Sequence, residues 1–359
     1  MKKLSINKLY QLAVGILLTL LPLSATYASS NKEDKELNVK ELVIEHNGDA
    51  HEWHITDINH HKIAIPLPVI VYTSTGWQIF MSSEFDKAPE GQYNGLTLNK
   101  EGKICENGKP VTLDLSITKN VLQLWIVMAL MLVIFLGCAR WYKGKDASSE
   151  APKGFVGFIE MFTMYVYEDI IKAAIDEKHV KFYTPYLLTV FFFIFISNII
   201  GLIPIFPGGA NLTGNIAITL FLALCTMLMV NIFGNKEYWK DIFWPDVPWW
   251  LKAPVPLLPV IELFGVFTKP FALMVRLFAN IFGGHAIAIS LTCVIFITFQ
   301  MGIAKGASIS AISFLLMIFM NILEVLVAFI QALVFTMLSA VFIGLAHQEH
   351  HQETTSAQQ

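Results

Sequence analysis

The sequence predicts an all-α polytopic membrane protein with five membrane helices, the last two long and strongly tilted, and a small β-rich exported domain at its N-terminus. Three observations predict it. The 359-residue chain is 55% hydrophobic, 13% aromatic and only 15% charged, too little polar surface for a water-soluble protein of this length. Five apolar runs long enough to cross a bilayer follow one another after residue 118. Basic residues are also sided: Arg140, Lys143, Lys145, Lys153, Lys172, Lys178, Lys181, Lys236, Lys240 and Lys252 fall in loops assigned to the inside, whereas the two short outer loops hold only Lys305. The net charge of -3 averages two unlike halves and says nothing about partners.

Residues 1–28 have the three-part layout of a secretory signal: Lys2, Lys3 and Lys8, an apolar run from Leu12 to Leu23, then small residues up to Ala28. Cleavage after Ala28 is expected, with an uncleaved anchor as the alternative because Thr26 stands where a smaller residue is preferred. Residues 29–118 read as a periplasmic domain, with alternating strand-like stretches at Lys62 to Ile65 and Val69 to Tyr72 and a turn at Ala88-Pro89-Glu90-Gly91. It holds a single cysteine, Cys105, so it forms no intrachain disulfide.

The membrane domain spans 119–346, with helices expected at about 120–139, 183–206, 215–234, 256–300 and 308–345. The first is uncharged and ends on Arg140, Lys143 and Lys145, a basic flank that marks the cytoplasmic side. Residues 154–178 alternate acids, bases and aromatics, with Phe155, Phe158, Ile159 and Phe162 at helical spacing, and read as an amphipathic interfacial helix. The second and third helices are joined by Pro207-Gly208-Gly209, an outer turn without a basic residue. A cytoplasmic loop, Asn235 to Lys252, carries Trp239, Trp244, Trp249 and Trp250, side chains that anchor at headgroups. The last two runs are close to twice the length an upright helix needs, so they must tilt or lie partly along the membrane. A polar cytoplasmic tail, 347–359, has no periodicity.

Between Ala253 and Ala346 the charged residues are Glu262, Lys269, Arg276, Lys305 and Glu324, of which Arg276 and Glu324 lie deepest in apolar sequence. An ionisable residue inside a membrane is costly, roughly 2.5 to 3.5 kcal/mol for a central Arg on insertion scales, and so marks function unless it snorkels to the interface. Arg276, Asn280, Gly283 and Gly284 share one helical face, and His285 points the opposite way from Arg276. The glycines admit close approach either of another helix or of this chain's own helices, and His285 reads equally as a satisfied interior histidine. In the last helix Asn321, Glu324 and Gln331 form a polar stripe, suited to lining a wet passage or to interhelical hydrogen bonding that only fixes packing.

The run RLFANIFGGH from Arg276 to His285, with Glu324 and Gln331 seven apart in the final helix, resembles the signature of subunit a of the F-type ATP synthases. The resemblance extends from about Asn120 to the C-terminus and includes Asn198, Gly201 and Pro204; the exported domain is longer than the leader of most bacterial members and inherits nothing from it. It implies an ion-translocating, non-catalytic stator subunit of the bacterial inner membrane. By resemblance, Arg276 faces the ion-carrying carboxylate of each passing c-subunit, Asn280 lies beside it, and His285 and Glu324 serve the half-channels. Some relatives carry that pair in reverse order, which fits neighbours in space. Gln331 corresponds to a hydrogen-bonding partner near the arginine. The implied partners are the c-ring, the subunit b peripheral stalk, the remaining ATP synthase subunits and the lipid bilayer, with no nucleic acid. No cofactor or metal is implied, and the coupling ion, H⁺ or Na⁺, is left open.

The chain has no P-loop pattern, which places ATP chemistry in partner subunits. The alternative reading is a stand-alone ion or metal transporter whose exported domain captures metal through His46, His51, His54, His60 and His61. His51-Glu52-Trp53-His54 is not HExxH, since the second histidine comes one residue too early to stack on the first.

Overall fold

A computed structural model describes residues 48–58, 61–88, 92–99, 102–143, 151–203, 208–243, 257–300 and 303–348. The signal segment 1–28, His46, His60, the Pro89-Glu90-Gly91 turn, Pro204, Pro207, Trp244, Trp249, Trp250 and the tail beyond Gln348 lie outside the described residues.

The N-terminal part is β-rich. Strands β1 (Glu52–Ile58) and β2 (His61–Pro66) form an antiparallel pair. A second sheet has the order β4-β3-β8, with β3 (Pro68–Thr73) central between β4 (Gly76–Met81) and β8 (Leu113–Asp114). A short helix α1 (Ser83–Lys87) follows β4, and β5 (Leu96–Leu98), β6 (Ile104–Glu106) and β7 (Lys109–Pro110) make a third sheet. Asn94-Gly95 and Asn107-Gly108, all at positive φ, turn the chain at Tyr93–Leu96 and between β6 and β7, the conformation that two-residue hairpins demand. Strand alternation sends Val69 and Val71 into a core with Phe85, Leu96 and Ile104, and Phe80, Tyr93 and Val111 pack against it.

This domain is tied directly to the first membrane helix, α2 (Lys119–Tyr142). The first amides of a helix lack intrahelical partners. Here Ala50 O accepts from Lys119 N at 2.8 Å and Asp49 Oδ1 from Asn120 N at 3.2 Å. Leu115 N and Ile117 N bond back to Ile70 O and Pro68 O, so the sheet runs into the helix without a free linker.

Among the described residues, five helices are long and apolar enough to cross a membrane: α2, α5 (Glu177–Gly201), α6 (Ile216–Phe233), α8 (Leu257–Gln300) and α9 (Ile303–Leu345). The chain is a multi-pass membrane protein. Three local details differ from the sequence reading. The expected single helix over 154–178 is α3 (Phe155–Tyr165), a π-helical stretch Val166–Ile171 and one turn α4 (Lys172–Ala174), ending where Ile175 is extended. The wider turn, in which Lys172 N reaches Tyr167 O, brings Val166, Ile170 and Ile171 all to the buried side. The loop after α6 contains a helix, α7 (Lys236–Phe243), apolar on one edge only and hidden among its charges. Lys305 belongs to α9 and not to a turn, because Ala304, Lys305 and Ala307 favour helix enough to carry Gly306.

The chain packs as two compact units. Of the described residues, one holds those up to Leu130 together with Ile196–Asn215 and Asn280–Ala328; the other holds those of Met131–Phe195, Ile216–Ala279 and Phe329 to Gln348. In the second, Phe162, Phe191, Phe195 and Phe329 form an aromatic cluster, and Thr226 of α6 lies within hydrogen-bond distance of both Tyr186 of α5 and Ser339 of α9.

Candidate functional site

The two longest helices, of 44 and 43 residues, supply every site residue named from the sequence. On α8, His285 and Gly284 are consecutive, and both face α9 at Glu324. His285 Nδ1 lies 3.6 Å from Glu324 Oε1, the side chains being 18% and 7% exposed. That separation permits strong Coulomb coupling but exceeds a direct hydrogen bond. Gly284 makes the arrangement possible: a Cβ there would stand 2.9 Å from Glu324 Oε1 and 3.2 Å from Cδ. A Cβ on Gly283 would meet nothing within 4 Å. The two glycines, equivalent in sequence, therefore differ: one seats the carboxyl group against the helix backbone and the other opens outward.

Arg276 stands half a helical revolution from His285. It is exposed, on a face with Phe271, Ala272, Val275, Ala279 and Asn280, all exposed as well. A guanidinium in such an apolar setting invites an anionic partner. On α9, Glu324 and Gln331 are both buried, with Ala328 between them, and Asn321 is half-buried. Asn198 of α5 donates from Nδ2 to Ala328 O at 3.2 Å, and Thr213 Oγ1 donates to Asn198 Oδ1 at 2.5 Å, so α5 and the loop after it brace the stripe beside Glu324. The structure thus joins His285 to Glu324 and leaves Arg276 and Asn280 each exposed.

Two residues of the same unit as Glu324 escaped the sequence reading. Gln123 in the first turn of α2 and Ser197 in α5 are fully buried, and Gln123 Nε2 and Oε1, Ser197 Oγ and Glu324 Oε1 have no hydrogen-bond partner. Buried polar atoms are almost always satisfied, by water where protein offers nothing. Gln123 is a lone polar residue in an apolar run, and Ser197 adjoins Asn198 in another. A second cluster was also unforeseen. His347, placed by sequence at the start of the polar tail, is only 3% exposed. Its Nε2 lies 3.2 Å from Tyr183 OH, its ring packs 4.4 Å from that of His179, and its carbonyl accepts from Asn235 Nδ2.

Among the described residues no group of three His, Cys, Asp or Glu side chains is placed to hold a metal ion. His51 is buried, and His46 and His60 lie outside the described residues.

Fold and site define a multi-pass membrane protein whose two longest helices carry an exposed guanidinium and a buried acid beside a half-buried imidazole. The chain belongs to the ATP synthase A chain family, whose profile matches residues 121–344. Residues 42–122 match a separate domain of unknown function, DUF8433. The chain is 42% identical over 253 residues to an ATP synthase subunit a of Chlorobium phaeobacteroides, covering 68% of this chain and 69% of that one. It is 38% identical over 249 residues to the subunit a of Chloroherpeton thalassium, covering 67% and 70%. To that of Myxococcus xanthus it is 37% identical over 251 residues, covering 67% and 77%.

Proposed function

We propose that this chain is the stator ion-channel subunit of the Fo motor of a rotary ATP synthase, carrying ions past a c-ring through two offset half-channels. The observation that carries the reading is the His285–Glu324 pair at 3.6 Å in the interior, with Arg276 on the opposite, exposed face of the same helix. Arg276 meets the c-subunit carboxylate. Its guanidinium cannot release a proton, so it attracts the ionised carboxylate and blocks a short circuit without relaying ions itself. Proximity to Arg favours carboxylate ionisation, and reprotonation follows once rotation separates the two. Asn280 lies beside Arg276 on that face, and the family resemblance gives Gln331 on α9 the role of a hydrogen-bonding partner near the arginine.

His285 and Glu324 form the ionisable step of one half-channel. The buried, partnerless polar atoms of Gln123 and Ser197 support a watered route to it from the end of α2 that carries the exported domain. The basic flanks support an inner-membrane orientation with that domain periplasmic and the C-terminus cytoplasmic. At about 1.5 Å per residue α8 and α9 reach roughly twice the ~30 Å hydrocarbon core, which supports steep tilt and a flank turned toward the c-ring. Subunit b, the other ATP synthase subunits and lipid complete the partners, and ATP chemistry belongs to those subunits. Each charge crossing 100 mV delivers about 2.3 kcal/mol. The transporter reading with a metal-capturing exported domain has no described ligand cluster in its favour.

The test is Arg276→Ala in an assembled complex, followed by ATP-driven acidification of inverted vesicles with a pH-sensitive dye. Loss of pumping with assembly and ATP hydrolysis retained is expected; pumping near wild-type levels overturns the assignment.

A further inference from the structure

The β4-β3-β8 sheet carries apolar side chains on both faces. One face supplies Val69 and Val71 to the domain core. The other turns outward, and the strand register puts its side chains in rows: Tyr72 lies between Trp77 and Leu113, and Ile70 opposes Ile79. Trp77 is 55% and Ile79 72% exposed, and Tyr72, Met81, Leu113 and Leu115 are exposed as well. Tyr72 and Trp77 meet edge to face, ring centroids 5.3 Å apart, which holds an aromatic corner in place. No charged side chain points from this face; Asp114 and Gln78 sit on the core-facing register. A continuous apolar sheet face of this kind is rare on a domain surrounded by water and marks a contact surface.

We infer that this face lies flat on the bilayer, with Trp77 and Tyr72 at headgroup depth and Ile79, Met81, Leu113 and Leu115 against the acyl boundary. The occupant follows from continuity with the membrane. Leu115 N and Ile117 N bond to Ile70 O and Pro68 O, and Lys119 N bonds to Ala50 O, so the strand carrying this face passes into α2 within four residues, Leu115 to Thr118. The sheet is therefore held at the surface that α2 enters. Trp and Tyr on an otherwise apolar face have the composition of interfacial belts, where an aromatic body is buried and its polar edge stays wet. The inference is independent of the role given to Arg276.

The test places the photocrosslinker p-benzoylphenylalanine singly at Trp77, Ile79 and Met81, with Lys109, exposed on β7, as control, in the full complex in native membranes. All three substituted positions are outward-facing, so the core stays intact. After irradiation, mass spectrometry is expected to show the chain gaining the mass of one phospholipid at 77, 79 and 81 and not at 109. A lipid adduct at 81 alone overturns the flat orientation, since the Trp77 end is the one remote from α2. Crosslinks to another subunit, to a second copy or to residues 1–47 of this chain overturn the bilayer as occupant. Absence of any adduct at the three positions means the face is open to water and overturns the inference outright.

Discussion

Gly284 and Glu324 compete for one volume: a Cβ on residue 284 would stand 2.9 Å from Glu324 Oε1, while one on Gly283, the preceding residue, would touch nothing within 4 Å. Gly284→Ala therefore pushes the Glu324 carboxyl group aside, a shift the end of that side chain makes at small cost in packing, whereas Gly283→Ala leaves the chain's own packing unchanged. Dye-monitored pumping separates the two. It falls with G284A, and pumping equal to that of the parent chain would contradict the arrangement.

The 3.6 Å approach of His285 to Glu324 predicts that the pair works as a unit. Glu324→Gln keeps the volume but removes the charge, and His285→Ala removes the imidazole, so each lowers pumping. Exchange of both, His285→Glu with Glu324→His, restores more pumping than either half of the exchange alone. A coupling of about 0.5 to 3 kcal/mol is the range for residues in contact. Purely additive losses in the double variant count against the pairing.

Ser74 donates to Glu106 both from its hydroxyl and from its backbone N–H, the latter at 3.1 Å, and these bonds hold the Glu106 carboxyl below its ordinary value. A lowered folded-state pKa contributes stability that is present above the unfolded value, about 4.3, and disappears as pH falls through the folded one. Hydrogen exchange of the 73–76 turn, corrected for intrinsic pH dependence, is expected to show protection at neutral pH that fades only in acid. Ser74→Ala moves that loss to higher pH. An unchanged profile would mean that the Ser74 hydroxyl does not set it.

His347 closes the C-terminal end of α9 onto Tyr183 of α5 and Asn235. Tyr183→Phe leaves His347 Nε2 buried without its partner, a loss of about 1 to 3 kcal/mol. Truncation after Gln348 keeps the cluster and is expected to leave the melting temperature unchanged, whereas truncation after Leu345 lowers it. Equal stability of the two truncations would show that the cluster contributes little.

The apolar runs that become α2, α5, α6, α8 and α9 were legible because a bilayer sets a minimum length and forbids charge, a demand written in composition alone. The alternation from Val69 to Tyr72 was equally local, whereas the Asn-Gly turns at Asn94 and Asn107 emerged only in the structure. The π-helical turn at Val166–Ile171 and helix α7 were not, because each depends on what its buried side packs against. Arg276, Asn280, His285, Glu324 and Gln331 stood out as polar residues in apolar sequence.

By itself the sequence determined which residues a membrane would find costly, how many helices cross it, and that Arg276 and His285 lie on opposite sides of one helix. Only the tertiary structure decided that Gly284 and not Gly283 seats Glu324, that Asn198 braces Ala328, and that His347 is core and not tail. The physical reason is that period and composition act along one chain segment, whereas in a helix apolar all round every face is chemically alike. Which face meets which neighbour is then settled by shape and by the few polar atoms that must find partners.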